Sequence, residues 1–407
     1  MTRKAAIALN RFGLGAKPGE IEQLSSPEDW LLGQTLTTPT SGLDMSALKT
    51  SKQHNIVLQS YFRMRRQGRQ NQAEFDPDKV EAFRRQIRQT AIAEVSARTQ
   101  YGATTDSPFH ERLVRFWANH FSVSGQRPQT SMTVGAYHRE AIRPNILGRF
   151  ADLAAAAIFH PAMLAYLDNW QSIGPNSFVG NERIGKDRQG EVLFSNIMHE
   201  SGARSVLGRR YSEDGKAQAT MILADLCRHP ETAKNVCFKL ARHFVSDTPP
   251  PTLTDRLTDT FLKTDGDLQS VYQTLVGSTE AWEDAPKKLK TPDELLTSTA
   301  RLIGVRRVHA GDPRSVYESL AQRPFAAPSP EGWPDTAEAW LTPDSLMKRI
   351  EWANRVAERS DQIDARTLLK EATGPLARAD TIRMIERAES GAQATAIALM
   401  SPDFQRR

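Results

Sequence analysis

Apolar residues recur at steps of three and four along most of the chain, which is the period of an amphipathic α-helix. A well-marked example begins at Asp76-Pro77, where Asp can cap the helix and Pro can occupy its first turn. The apolar positions that follow it are Val80, Phe83, Ile87, Ala91 and Val95. The pattern predicts a helix that begins at residue 77.

Two further helix starts contain Thr-Pro. Thr291-Pro292-Asp293-Glu294 can form a capping box, in which Thr caps the helix and Glu bonds back to the Thr amide. Thr342-Pro343 begins another helix in the same way. Because almost no run alternates apolar and polar residues, the sequence predicts an all-α fold, a large multi-helix globular assembly with irregular loops.

Three stretches lack a helical period. Residues 43–75 are less regular, residues 171–212 are rich in Gly, Asn and Ser, and residues 323–334 hold four prolines in twelve positions. We expect one helical region over residues 1–407. The long irregular segment 171–212 also permits two helical subdomains, residues 1–170 and 213–407.

The composition is that of a folded protein, with 39% hydrophobic and 25% charged residues among 407. The net charge of +5, from 53 basic and 48 acidic residues, is small, so nucleic-acid binding is the weakest of the functions considered. Cys227 and Cys237 are ten residues apart in one helical region, and we expect both to be reduced and buried.

The N-terminal apolar run, residues 5–9, is shorter than the core of a secretory signal, and no stretch is long enough to span a membrane. We therefore expect a cytoplasmic protein. Export with a partner, to the periplasm or cell envelope, is the alternative.

Histidine and carboxylate residues form the first group of candidates for chemistry: His110, Glu111, His120, His160, Asp168, His199 and Glu200. These side chains can bind transition metals or transfer protons near neutral pH. Their spacing matches no metal motif, so we predict no metal site and no cofactor. The alternatives for His120 and His160 are catalysis, for which Asp168 is the third candidate, or burial in the core.

The second group of candidates is a turn after the Ala-rich residues 151–159, with Asp168, Asn169, Ser172 and Asn176 as binding residues. Small polar side chains on a turn suit a ligand pocket, but they also suit a helix end. If there is a pocket, we expect this turn to form its floor, near His120 and His160. The large apolar neighbours Trp117, Phe121, Phe159, Leu164 and Leu167 are predicted to share one buried core.

The third group of candidates is an arginine-rich helix face with Arg84, Arg85 and Arg88 as binding residues. Arginines bind phosphate or sulfate groups through forked hydrogen bonds. Acidic residues interrupt the run, which also fits an ordinary solvated face.

Several ordered motifs resemble the DUF1800 family over nearly the whole chain. They lie at residues 8–15, 116–121, 160–169, 172–177, 206–208, 228–230, 240–244, 332–335 and 401–405. One departure is clear: after Ser177 the chain lacks the acidic, His-containing segment expected from the family, and runs directly to Asn181-Glu182-Arg183.

The resemblance implies an uncharacterised bacterial helical protein that acts with a DUF1501-like, sulfatase-like protein at the cell envelope. An accessory or partner-binding role is therefore the first hypothesis. A hydrolase-type enzyme that acts on an anionic polymer through a His/acid pocket is the alternative, and nucleic-acid binding is the third. Neither the residues nor the resemblance decides whether the protein is an enzyme.

Overall fold

The computed structural model describes residues 2–37, 39, 45, 47–70, 76–169, 199–212, 215–283, 286–309, 311–360 and 362–407. Of the residues described, 69% are helical, and the predicted all-α fold is confirmed. Within the described ranges, no helix is both long and apolar enough to cross a bilayer.

The N-terminal part of the chain contains nine α-helices among its described residues. They are α1 (Arg3–Ile7), α2 (Glu20–Gln23), α3 (Pro27–Gly33), α4 (Ser51–Gln70), α5 (Pro77–Thr104), α6 (Pro108–His120), α7 (Pro128–Tyr137), α8 (Phe150–Ile158) and α9 (Pro161–Tyr166). Helices α1 and α7 continue into π-helical turns at Ala8–Phe12 and His138–Ile142.

The rest of the described chain adds one β-hairpin and twelve α-helices. These elements are β1 (Arg204–Val206), β2 (Arg209–Tyr211), α10 (Gly215–Cys227), α11 (Pro230–Phe244), α12 (Pro251–Lys263), α13 (Leu268–Val276), α14 (Pro292–Ile303), α15 (Val305–Val308), α16 (Pro313–Ser319), α17 (Pro343–Glu358), α18 (Ala365–Thr373), α19 (Ala379–Glu386), α20 (Gly391–Met400) and α21 (Pro402–Gln405).

The predicted helix starts are confirmed. The Asp76 carboxylate accepts a hydrogen bond from the amide of Asp78 at 3.1 Å at the start of α5. Thr291 and Glu294 form the complete capping box of α14. The Thr342 hydroxyl accepts from the amide of Ser345 at 3.2 Å and caps α17. Local side-chain chemistry therefore fixes where these helices begin.

Two segments predicted to be irregular contain regular structure. Residues 51–70 form α4, and part of the segment 171–212 forms the β1–β2 hairpin, in which Arg204 lies opposite Tyr211. The hairpin turn has Leu207 and Gly208 at φ angles of 48° and 78°. Two successive positive φ values are typical of the tight turn that joins antiparallel strands.

Two large apolar cores hold the helices together. The first includes Leu113 of α6, Leu153 of α8 and Leu240 of α11. The second joins Val95 of α5 to the C-terminal helices, among them Trp352 of α17. Each core therefore contains residues from both sides of the segment 171–212.

The predicted common core of five apolar residues is only partly correct. Trp117 is fully buried and Phe121 packs against the same core, but Phe159 and Leu164 are only half-buried. Leu167 is 50% exposed because it lies at the C-cap of the short helix α9. The two cysteines are free and buried, as predicted. Burial raises the pKa of the Cys227 and Cys237 thiols to about 11 and about 12.

Candidate functional site

A cleft of about 580 Å³ lies between α6, α11, the start of α14 and residues 322–335. We call residues 322–335 the proline-rich wall, since they include the stretch 323–334 with its four prolines. The volume falls in the range of roughly 300–1,000 Å³ that is typical of small-molecule sites. The cleft is therefore large enough for an organic ligand.

The proline-rich wall is fixed to α6 by a reciprocal pair of hydrogen bonds. The Asn119 side chain accepts from the amide of Trp333 at 2.7 Å and donates to the Trp333 carbonyl at 3.0 Å. Gly332 precedes Trp333 with a φ of +88°, and an added Cβ there would lie 2.4 Å from the Asn119 carbonyl oxygen. Only glycine combines this backbone angle with this close approach.

Buried ion pairs line the side of the cleft formed by α14. Asp293 accepts two hydrogen bonds from Arg98, at 2.6 and 2.8 Å, and one from Arg115 at 3.2 Å. Burial alone would raise the pKa of Asp293, but the two arginines outweigh it and lower that pKa. Glu294 binds Arg112 at 2.8 Å. Each of these three arginines therefore already has a carboxylate partner.

His243 of α11 is paired with Asp335 at the end of the proline-rich wall. Nδ1 of His243 lies 3.0 Å from the Asp335 carboxylate, which Lys288 also contacts at 3.4 Å. Burial lowers the pKa of His243, although Asp335 opposes the change. A neutral ring that donates from Nδ1 has its lone pair on Nε2, and that nitrogen is buried without a partner. The pair thus ties the wall to α11.

His120 is the last residue of α6, and its ring borders the cleft. Aromatic rings surround it, with centroid distances of 4.7 Å to Phe121 and 5.3 Å to Trp117. Neither ring nitrogen forms a hydrogen bond to a described residue, and Nδ1 is buried. Burial, and after it the charge of Lys239, lower the pKa of His120 to about 3. His120 is therefore a neutral imidazole at the cleft.

His160 lies apart from this cleft and has partners on both nitrogens. Its Nδ1 accepts from the amide of Ala162 at 3.1 Å and caps α9, and its Nε2 lies 3.1 Å from Glu140. His229 caps α11 in the same way, since its Nδ1 accepts from the amide of Glu231 at 3.2 Å. In both His-Pro sequences the imidazole is a helix cap.

Asp168 and Asn169, which are the described residues of the polar turn after α9, do not line the cleft. Asp168 forms an exposed ion pair with Arg127 at 2.8 Å, and Asn169 is exposed beside it. Ser172 and Asn176 lie outside the described residues. The structure therefore does not bring Asp168 and Asn169 together with His120.

The remaining candidate residues are also separate from the cleft. Arg84, Arg85 and Arg88 are exposed on the outer side of α5. Within the ranges that the structure describes, no group of three or more His, Cys, Asp or Glu side chains is arranged to hold a metal ion.

The cleft residues that were not among the sequence candidates include Lys239, Arg242, His243 and Asp335. Arg242 and His243 belong to the motif at 240–244, and Asp335 to the motif at 332–335. Together with 116–121, these are three of the segments that resemble the family. The position of all three motifs at one cleft could have identified the site. That position is known only from the tertiary structure.

No curated protein and no solved structure is significantly similar to the chain. One family model, described as a protein of unknown function (DUF1800), matches residues 7–185 and again residues 179–406. The two matches together cover nearly all of the sequence. The chain therefore belongs to the DUF1800 family.

Proposed function

We propose that the protein is an enzyme that carries out acid–base chemistry on a small molecule in the cleft, with His120 as the residue that transfers the proton. The observation that supports this most directly is that His120 lies at a cleft built from three separate segments, while neither of its nitrogens has a hydrogen-bond partner among the described residues.

An unpaired buried polar group costs ~1–3 kcal/mol. His160 has partners on both nitrogens, and His110 is unpaired but enclosed in the core, whereas His120 is unpaired and borders the cleft. Because Nδ1 of His120 is buried, we assign Nε2 as the atom that contacts the ligand. The neutral ring at neutral pH is the form that can accept a proton.

The test compares His120→Leu with the matched control His160→Leu. Removing an unsatisfied imidazole should leave the free energy of unfolding unchanged or raise it by ~1 kcal/mol. Removing the cap of α9 and the partner of Glu140 should lower it by ~1–3 kcal/mol. Denaturant unfolding measures both values. Equal destabilisation by the two substitutions would make His120 an ordinary core residue.

Activity is the second measurement. Wild-type protein is assayed with nitrophenyl phosphate, sulfate and carboxylic esters, and with extracts in which a natural substrate can be followed by mass spectrometry. Loss of a general base typically lowers kcat by about 10²–10⁴-fold, so His120→Leu should lose that factor while it remains folded. Full turnover by a folded His120→Leu protein would contradict the proposal.

The accessory role at the cell envelope, with a DUF1501-like partner, is a second proposal. Helix α17 exposes Leu346, Met347 and Ile350 at 37%, 56% and 40%, and such a strip suits contact with another protein. The partner should co-purify with the wild type, and Met347→Glu should reduce its recovery while Lys234→Glu on α11 should not. Equal recovery with both variants would reject this surface.

A further inference from the structure

We propose that Lys239 and Arg242 form a binding site for a phosphate or sulfate group of the substrate, beside His120. This inference names the substrate class of the cleft and rests on the proposed function for its catalytic meaning. The anion site itself can be tested without knowing the reaction.

The two cations are placed on one side of α11. Lys239 follows Asn235 by four residues and Arg242 follows by seven, so all three face the same direction on the helix. All three line the cleft. Helix geometry therefore places both positive charges at the same ligand volume, on the wall that also carries His243.

These cations differ from the other positive residues of the cleft in having no carboxylate partner. Arg98 and Arg115 both pair with Asp293, and Arg112 pairs with Glu294. Lys239 and Arg242 form no ion pair with a described residue. Unbalanced positive charge in a partly enclosed cleft attracts an anion, because the surrounding protein weakens the field less than water does.

Arg242 has a fixed position, although not all of its N–H groups have hydrogen-bond partners among the described residues. Its guanidinium lies over the Phe238 ring, 4.4 Å from the centroid, and its Nε is buried with no hydrogen-bond partner. The stacked guanidinium is fixed in orientation, and its N–H groups can bind two oxygens of one oxyanion. The aromatic contact therefore orients the cation for a ligand.

The acidic side chains of the cleft do not neutralise Lys239 and Arg242. Asp293, Glu294 and Asp335 are each bound to cations on other elements. Glu331 is the remaining acidic residue of the lining, and it is exposed on the proline-rich wall. Two free cations against one exposed carboxylate favour an anionic ligand at α11.

The position of Lys239 links the anion to the proposed chemistry. Its charge acts on the His120 ring, where it opposes protonation. An oxyanion bound to Lys239 would reverse the sign of that field and favour the protonated imidazole. Binding of the charged group would therefore prepare His120 for proton transfer, and the two residues would act on the same ligand.

Isothermal titration calorimetry with inorganic phosphate, inorganic sulfate and acetate tests the site. Lys239→Met and Arg242→Met are compared with Lys234→Met, an exposed lysine of the same helix outside the cleft. We expect saturable binding of the two dianions, weaker binding of acetate, and about tenfold loss of affinity in each cleft variant. The Lys234 variant should bind as the wild type does.

Absence of saturable dianion binding to the wild type, or equal affinities in Lys239→Met and Lys234→Met, would overturn the inference. If Arg242→Met does not fold, Lys239→Met alone still decides it. The anion site and the acid–base role of His120 can be tested separately, because His120→Leu should keep the anion affinity. Retained turnover in that variant would reject the acid–base role and leave the anion site standing.

Discussion

His110 makes the protein sensitive to acid. It lies in the first turn of α6, is fully buried, and has no partner for either ring nitrogen. Burial, reinforced by the charge of Arg143, lowers its pKa from 6.5 to about 4 in the folded protein. In the unfolded chain the ring becomes protonated below its ordinary pKa of 6.5, whereas in the folded protein it stays neutral until about 4.

The direction of the stability change follows from the number of protons that each state binds. The unfolded chain binds more protons throughout that interval, so the contribution of His110 to stability is complete above pH 6.5 and is lost as the pH falls toward 4. At about pH 5 the loss is ~2 kcal/mol, and below the folded pKa it reaches ~3 kcal/mol. His54, with a pKa lowered by burial to about 4, acts in the same direction.

Urea unfolding of wild type and His110→Leu between about pH 8 and pH 5 measures this term. The variant should lose ~2 kcal/mol less than the wild type over that range, since leucine binds no proton. Val114→Ala, on the same helix and nearly buried, is the control that should shift the curve equally at every pH. Parallel curves for wild type and His110→Leu would refute the reasoning.

Two further predictions concern the walls of the cleft. Gly332→Ala should lower the free energy of unfolding by ~2–3 kcal/mol more than Gly304→Ala does. Both glycines have φ near +90°, but only Gly332 lies against the backbone carbonyl of Asn119. Denaturant unfolding measures both values. Equal losses would show that the close approach is unimportant. Asp293→Asn should cost ~3–5 kcal/mol because it removes the carboxylate that two largely buried arginines share, whereas Asp168→Asn, in an exposed pair, should cost less than ~1 kcal/mol. A thermal-melt series that ranked these two substitutions in the opposite order would contradict the assignment of buried and exposed charges.

The hairpin and helix α4 show where prediction from pattern fails. Helix α4 was missed because most of its residues are polar and its apolar stripe is short, with Leu58 buried and Val57, Tyr61 and Phe62 packed beside it. The hairpin has strands of three residues, too short for an alternating pattern to be distinguished from a loop. In both cases the local sequence carries too little periodic signal.

The sequence by itself determined the fold class, the starts of α5, α14 and α17, and membership in the family. Helical period and capping act between residues three or four apart, so they can be read along the chain. The sequence also singled out His120, but it could not separate that histidine from His160, since both lie near aromatic residues.

Only the tertiary structure decided which histidine is paired and which is not. His160 finds Glu140 twenty residues away, while His120 meets a cleft whose other walls come from residues more than a hundred positions distant. Only the tertiary structure likewise shows that Lys239 and Arg242 have no carboxylate partner among the described residues. Hydrogen bonding and charge balance depend on which side chains are in contact in the folded protein. The spacing of residues along the chain does not specify those contacts.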